Sequence, residues 1–240
     1  MDLDTRLTLS YYKEIANINE NHDVYLVQHQ HTKKIFIKKI LHIYDKNIFI
    51  YIKEHPIANL PKIYEVFEDG NKLIVIEEYI SGNTLEDMLN EGHAFSDNEI
   101  KEIIIKLCHI VNNLHSAEPA IIHRDIKPSN IIITPSDELV LLDLNAAKNL
   151  SIDKNEDTRL LGTRGYAAPE QYGFGASNLQ TDIYAIGVLI NTLVSGKYSL
   201  ELNDNSSFYP IINKCTQMNP SDRYTNINEI LLAVGSPAVI

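Results

Sequence analysis

The sequence predicts an α+β fold with two lobes, a small β-rich one over about residues 1–80 and a larger helical one over about 81–240. Three observations carry this. Short β-branched and aromatic runs fill the first part of the chain. Apolar residues at helical spacing take over after about residue 82, with Ile100, Ile103, Ile104, Leu107, Val111 and Leu114 as the clearest series. The composition shifts near residue 80 with no repeat, low-complexity tract or linker to separate independent pieces.

Taken in order, the opening MDLDTRLTLSYYKE has acids early and no long apolar core, so it does not read as a signal peptide. Asp23–Val27 and Lys34–Ile40 are strand-like, joined through QHQHT. His22, His29 and His31 lie near that turn, but no carboxylate or thiol is spaced to complete a metal site. Tyr44–Lys53 reads as a short helix. KIYEVFED and KLIVIEEYI flank DGN, a strong hairpin signal.

Ser96 followed by Glu99 forms a capping box at the head of a long helix. NIIIT and ELVLLDL read as a strand pair, an irregular stretch covers about 145–175, and helices follow at about 181–195, 207–218 and 226–234. The apolar window Ile183–Val194 is too short to span a bilayer and contains Asn and Thr, so it reads as a buried helix.

A net charge of −11 argues against a broad nucleic-acid surface. Cys108 and Cys215 are far apart and belong to no CxxC pair, which fits two buried thiols in a reducing compartment. The expectation is a soluble, cytoplasmic chain that binds neither nucleic acid nor membrane.

Between two isoleucine runs, Ile121–Ile133 reads IIHRDIKPSNIII. An ordinary turn needs polarity, but seldom one group of each charge type at fixed spacing. HRDIKPSN at 123–130 resembles the catalytic loop of protein kinases, and from about residue 10 to 232 the chain is similar to a bacterial-type serine/threonine protein kinase domain. The resemblance rests on several motifs in the family's order: IFIKKI, HRDIKPSN, LLDLNAAK, GTRGYAAPE, DIYAIGV and PSDRY.

This resemblance implies a two-lobed protein-kinase-like fold forming one catalytic domain over 1–240, with ATP and Mg²⁺ or Mn²⁺ as cofactors. It implies that Asp125 is the base toward a substrate hydroxyl, Lys127 faces the moving phosphoryl group, and Asn130 and Asp143 hold the metal. Lys38 matches the lysine that holds the α- and β-phosphates, with Lys39 on the opposite face of the strand. Val24 precedes it on the nucleotide side, and Glu78 and Ile80 offer backbone groups to adenine.

The resemblance further implies that Arg124 is the receiver for a phosphate on the activation segment, where Thr158 and Ser151 are candidate sites, and that Thr163 bridges the base and Lys127. It implies also that Glu170 pairs with Arg223 and that Asp182 holds the catalytic-loop backbone. The APE segment, absent from the small-molecule kinases that share the Asp-to-Asn spacing, points to a protein substrate.

The chain departs from the family pattern in places. INENHD stands where a glycine-rich loop belongs, and Asn19 and Asn21 fill glycine positions. Asn145 replaces the glycine of the DFG motif and Leu144 its phenylalanine. As Asn is the non-glycine residue that best tolerates positive φ, the turns are expected to survive. The acid that should pair with Lys38 from the first long helix has two weak candidates, Asp45 and Glu54. Glu77 falls at the normally apolar gatekeeper position. These departures make a pseudokinase, a nucleotide-sensing or scaffolding module, the alternative to an active serine/threonine kinase; turnover separates them.

Overall fold

The structure is a computed structural model and describes residues 3–19, 23–150, 162–173, 175–199 and 201–237. It divides into two compact units, residues 1–81 and 82–240.

The first unit opens with α1 (Leu3–Ser10), followed by β1 (Tyr12–Asn19), β2 (Val24–His29), β3 (Ile35–Leu41), α2 (Lys46–Glu54), β4 (Ile63–Asp69) and β5 (Lys72–Glu78). The strands form one antiparallel sheet in the order β1-β2-β3-β5-β4. Its tightest connection is DGN: Asp69 pairs with Lys72 across a two-residue loop, and Gly70 takes the positive φ of 62° that the turn requires. The short helix begins two residues later than its apolar spacing suggests. The reason is Asp45, whose side chain accepts from the amide of Asn47 and so caps α2 from outside it. Ile48, Phe49 and Ile52 form its buried face, and Lys46–Glu68 and Lys53–Glu65 tie it to β4.

Strand alternation sorts the side chains of β3 onto two faces. One face carries Phe36, clustered with Val27 and Ile76 and covered by Leu9, Tyr12, Tyr25 and Tyr64. The Phe36 ring meets Tyr12 and Tyr64 edge-on, with centroids 5.5 and 4.9 Å apart. The other carries Ile37 and Leu41, both buried.

The second unit runs through β6 (Asn83–Thr84), α3 (Leu85–Asn90), α4 (Asp97–His115), β7 (Ile121–Ile122), β8 (Ile131–Ile133), β9 (Leu139–Leu141), β10 (Lys148–Asn149), α5 (Leu179–Ser195), α6 (Tyr209–Cys215) and α7 (Ile227–Ala233). Its small sheets are β6-β8-β9 and β10-β7. The capping box at α4 is formed in both directions: Glu99 N–H donates to Ser96 Oγ at 3.3 Å, and Ser96 N–H donates to Glu99 Oε2 at 2.8 Å. One stripe of α4 is buried, including all six of the apolar residues at helical spacing.

α5 is buried on most sides and packs against α4 and α6. Gly187 allows the close approach to α6: a Cβ there would come 2.4 Å from Cys215 Cβ. Cys108 on α4 and Cys215 at the end of α6 are free thiols, both fully buried, and burial pushes both well above the ordinary thiol range. No helix among the described residues is long and apolar enough to cross a membrane.

Candidate active site

The polar loop between the isoleucine runs is held from below by α5. Asp182, completely buried, accepts from the amides of His123 at 2.9 Å and Arg124 at 2.8 Å, and from His115 Nε2 at 2.8 Å. Burial alone would raise the Asp182 pKa. The His115 hydrogen bond, the electrostatic pull of His115 and His123 and the Arg124 amide outweigh it, so the carboxyl lies below its ordinary value. His115 carries no motif signal; it is recognisable only as the last residue of α4, turned inward.

Anchored in this way, the loop passes through Arg124 at a φ of 70° and brings four polar side chains together. Asp125 Oδ2 lies 2.8 Å from Lys127 Nζ. Asn130 Nδ2 donates to the Asp125 carbonyl at 2.8 Å and to its Oδ2 at 3.0 Å. Thr163 donates to Asp125 Oδ1 through its amide at 3.2 Å and its hydroxyl at 2.7 Å, while Lys127 Nζ donates to the same hydroxyl oxygen at 2.6 Å. Both Asp125 oxygens are thus oriented, and the carboxylate is still partly exposed at 12%.

Thr163 is placed by the loop that follows it. Gln171 donates to the Arg124 carbonyl at 2.9 Å and accepts from the Ala168 amide at 2.9 Å. Gly162, at a φ of 132°, sits where a Cβ would strike Gln171 Nε2 at 2.7 Å and Ala167 Cβ at 2.8 Å. Below it Glu170 forms a two-pronged pair with Arg223, Nη1–Oε1 2.8 Å and Nη2–Oε2 2.9 Å. Arg223 also donates to the carbonyls of Gln180, Gln217 and Met218, and its guanidinium lies 4.9 Å from the Tyr184 ring centroid.

Asp143 follows β9 at a φ of 70°. The amide of its neighbour Leu142 donates to the Asn130 carbonyl at 2.7 Å, and the Leu142 carbonyl meets His123 Nε2 at 3.0 Å. The backbone therefore fixes Asp143 next to Asn130. Asn130 turns its amide nitrogen toward Asp125, which leaves its oxygen facing the other way. One carboxylate and one amide oxygen make a hard donor pair suited to Mg²⁺ or Mn²⁺ with phosphate and water completing the shell.

The left-handed turn in this segment falls on Asp143, and Asn145 is not among the positive-φ residues, contrary to the glycine-substitute reading. The reading of Asn19 and Asn21 meets a similar correction. Asn19 ends β1 as a strand residue, Asp23 takes the positive φ of 50° before β2, and Asn21 lies outside the described residues. Thr158 and Ser151 also lie outside them.

In the first unit the expected lysine arrangement differs. Lys38 Nζ lies 2.6 Å from Glu14 Oε1 of β1 and 5.3 Å from the Tyr25 ring centroid. Neither helix candidate is its partner: Asp45 caps α2, and Glu54 is exposed at the other end. Val24 stands directly opposite Lys39, whereas Lys38 stands opposite Tyr25, so Val24 and Lys38 face opposite sides of the sheet. Glu77 is buried and lies 2.8 Å from Lys39 Nζ. The Glu78 amide, one of the backbone groups expected to face adenine, instead donates to the Lys62 carbonyl at 2.8 Å.

A family model described as the protein kinase domain matches residues 20–231. The chain belongs to the protein kinase family. Serine/threonine-protein kinase D of Synechocystis is 32% identical over 92% of this chain and 45% of its own length. Serine/threonine-protein kinase B of the same organism is 30% identical over 78% of this chain and 36% of its own. A plant relative, calmodulin-binding receptor-like cytoplasmic kinase 3 of Arabidopsis thaliana, is 35% identical over 60% of this chain and 29% of its own. The chain thus spans less than half the length of these curated relatives. As in the family, a β-sheet unit precedes a helical one.

Proposed function

We propose that this kinase chain transfers the γ-phosphoryl group of ATP to Ser or Thr hydroxyls of a protein substrate, with itself as one acceptor. The observation that carries the reading is the fixed Asp125 carboxylate, oriented by Thr163, Lys127 and Asn130 and still reachable. A base in one orientation, beside a cation and a hard oxygen pair, is what phosphoryl transfer requires of a protein, since positioning and electrostatics supply most of the acceleration.

In this reading the substrate hydroxyl oxygen forms a bond to the γ-phosphorus, and the bond from that phosphorus to the bridging oxygen breaks. The electron pair leaves with ADP, and the hydroxyl proton passes to Asp125. Lys127 offsets charge on the phosphoryl oxygens as it moves. Asn130 and Asp143 would hold the divalent ion, taken to be Mg²⁺, whose chemistry is to neutralise and orient phosphate oxygens. Ile80 N–H and the Glu78 carbonyl would read adenine, and a lysine of β3 would meet the inner phosphates.

Arg124 would receive a phosphate placed on Thr158 or Ser151. Residues 1–240 act as one catalytic domain in the cytoplasm, where the two buried free thiols would stay reduced.

The test is transfer of labelled γ-phosphate to the chain and to a generic basic protein with Mg²⁺ or Mn²⁺, beside Asp125→Asn. Loss of a general base costs about 10²–10⁴-fold, and a drop of that size in a variant with unchanged melting is the expected result. Equal background in both chains would leave a nucleotide-binding module instead.

A further inference from the structure

The paired lysines of β3 can be told apart by register. Residues directly opposed across antiparallel strands share a face. β2 sets Tyr25 against Lys38 and Val27 against Phe36, but Val24 against Lys39 and Leu26 against Ile37. β5 sets Ile76 against Lys38, but Glu77 against Ile37 and Val75 against Lys39. Lys38 therefore belongs with Tyr25, Val27, Phe36 and Ile76, and Lys39 with Val24, Leu26, Ile37 and Glu77.

The Lys38 face is filled by the chain's own side chains. Leu9, Tyr12, Tyr25 and Tyr64 pack over the Val27–Phe36–Ile76 cluster, and Lys38 lies over Tyr25 with its charge turned to half-exposed Glu14. The Lys38 ammonium itself makes the ring contact, a cation–π arrangement, and its side chain is 17% exposed against 7% for Lys39.

The Lys39 face is built differently. The Lys39 and Glu77 side chains are only 7% and 10% exposed, and the ion pair between them spans 2.8 Å. They sit diagonally on neighbouring strands, a spacing long side chains reach readily. A buried ion pair costs desolvation that its mutual attraction barely offsets, so stability alone gives little reason to keep one. Buried, charged and specifically paired groups concentrate at working sites. The helix beside the sheet offers no substitute, because the only acid within α2 is Glu54, exposed at its last position.

We propose that Lys39, not Lys38, meets the nucleotide phosphates, and that Glu77 of β5 positions it in place of an acid on the neighbouring helix. The inference rests on the phosphoryl-transfer reading above. It gives the polar residue at the gatekeeper position a role: the ion pair is made within the sheet, between adjacent strands, and does not depend on where a helix stands.

The experiment compares wild type, Asp125→Asn, Lys38→Met, Glu77→Gln, Lys39→Arg and the double variant Lys39→Met/Glu77→Met. Each is assayed for transfer of labelled γ-phosphate, for binding of a fluorescent ATP analogue with Mg²⁺, and for melting temperature. The double variant removes both charges together and so leaves no unpaired buried ion.

Lys38→Met is expected to stay within about threefold of wild type in KM for ATP and in turnover. The double variant should lose about 100-fold or more in kcat/KM while still melting cooperatively. Glu77→Gln leaves Lys39 without its buried counter-charge and should lower the melting temperature; on the chain that remains folded at the assay temperature it should raise KM for ATP roughly tenfold, which a merely structural role would not do. Lys39→Arg keeps the charge but not the compact ammonium geometry, and should fall at least about tenfold even if the double variant does not fold.

A Lys38→Met chain that loses transfer or analogue binding, or a folded double variant that retains both, overturns the assignment. Failure of the functional reading shows elsewhere, as a wild type with no transfer above Asp125→Asn. Analogue binding then still separates the two lysines, and a wild type that binds no analogue overturns the assignment too.

Discussion

The Thr163 hydroxyl sits between two charges, donating to Asp125 Oδ1 at 2.7 Å and accepting from Lys127 Nζ at 2.6 Å. It fixes the carboxylate and the ammonium relative to one another without neutralising either. Thr163→Val keeps the shape and removes both bonds. Hydrogen bonds to charged groups are worth about 1.5–3 kcal/mol, and each 1.36 kcal/mol of barrier is about tenfold in rate. We expect a fall of about 10- to 100-fold in phosphoryl transfer with little change in melting, and near-wild-type rates in Thr163→Ser. An active Thr163→Val chain would show that Asp125 is held well enough by Asn130 and Lys127.

Arg223 is fully buried and spends its guanidinium on Glu170 and three carbonyls. Truncating it leaves Glu170 as an uncompensated charge, a change that costs about 3–5 kcal/mol. Arg223→Ala should therefore lower the urea midpoint strongly, and Arg223→Met/Glu170→Met should recover part of the loss. The comparison reads directly from paired urea titrations; no recovery in the double variant would mean that the carbonyl contacts dominate.

Asp182 makes the second unit acid-sensitive. Its carboxyl lies below the ordinary value of 3.8 in the folded chain, so folding favours the ionised form. The resulting stability is fully present above about pH 4, the unfolded value, and is lost as pH falls toward the folded one. Asp182→Asn should be less stable at pH 7 and show a shallower decline between about pH 4 and pH 2. Urea melts across that range measure both; an equal slope in the two proteins would place the acid sensitivity in other carboxylates.

Gly187→Ala probes the contact between α5 and α6. The added Cβ would lie 2.4 Å from Cys215 Cβ and 2.9 Å from Thr216 Cγ2, so one helix must move. Overpacking of this sort costs about 1–3 kcal/mol. That exceeds the gain of roughly 0.5–1 kcal/mol from replacing a helical glycine. A net loss of melting temperature is expected, and Cys215→Ser should not relieve it, because the clash is with Cβ and not with sulfur.

The sequence disclosed local devices better than pairings. The capping box of Ser96 and Glu99 and the DGN turn are legible because each acts within four residues. The polar loop at 123–130 is legible because its charged groups stand so close in the chain. β1 was not visible as a strand. Its ladder with β2 is interrupted between Glu14 and Ala16 and again between Asn17 and Asn19, and each irregularity resets the two-residue alternation that marks a strand. Glu14 consequently gave no hint that it meets Lys38. Lys38 and Lys39 are adjacent and chemically identical, so only the register with β2 and β5 assigns each a face. Asp45 has an acid's charge and a cap's position, and local geometry chose the cap.

The two buried thiols have a practical consequence. With Cys108 and Cys215 sealed inside and held in the protonated form, the native chain presents no thiolate to an alkylating reagent at neutral pH. A cysteine introduced on any exposed loop becomes a unique attachment point for a fluorophore or spin label, with no need to delete the native pair. The same two sulfurs, silent while the second unit is closed, turn reactive when it opens. Their rate of labelling is then a clock for opening of that unit, read on the unmodified sequence by mass alone.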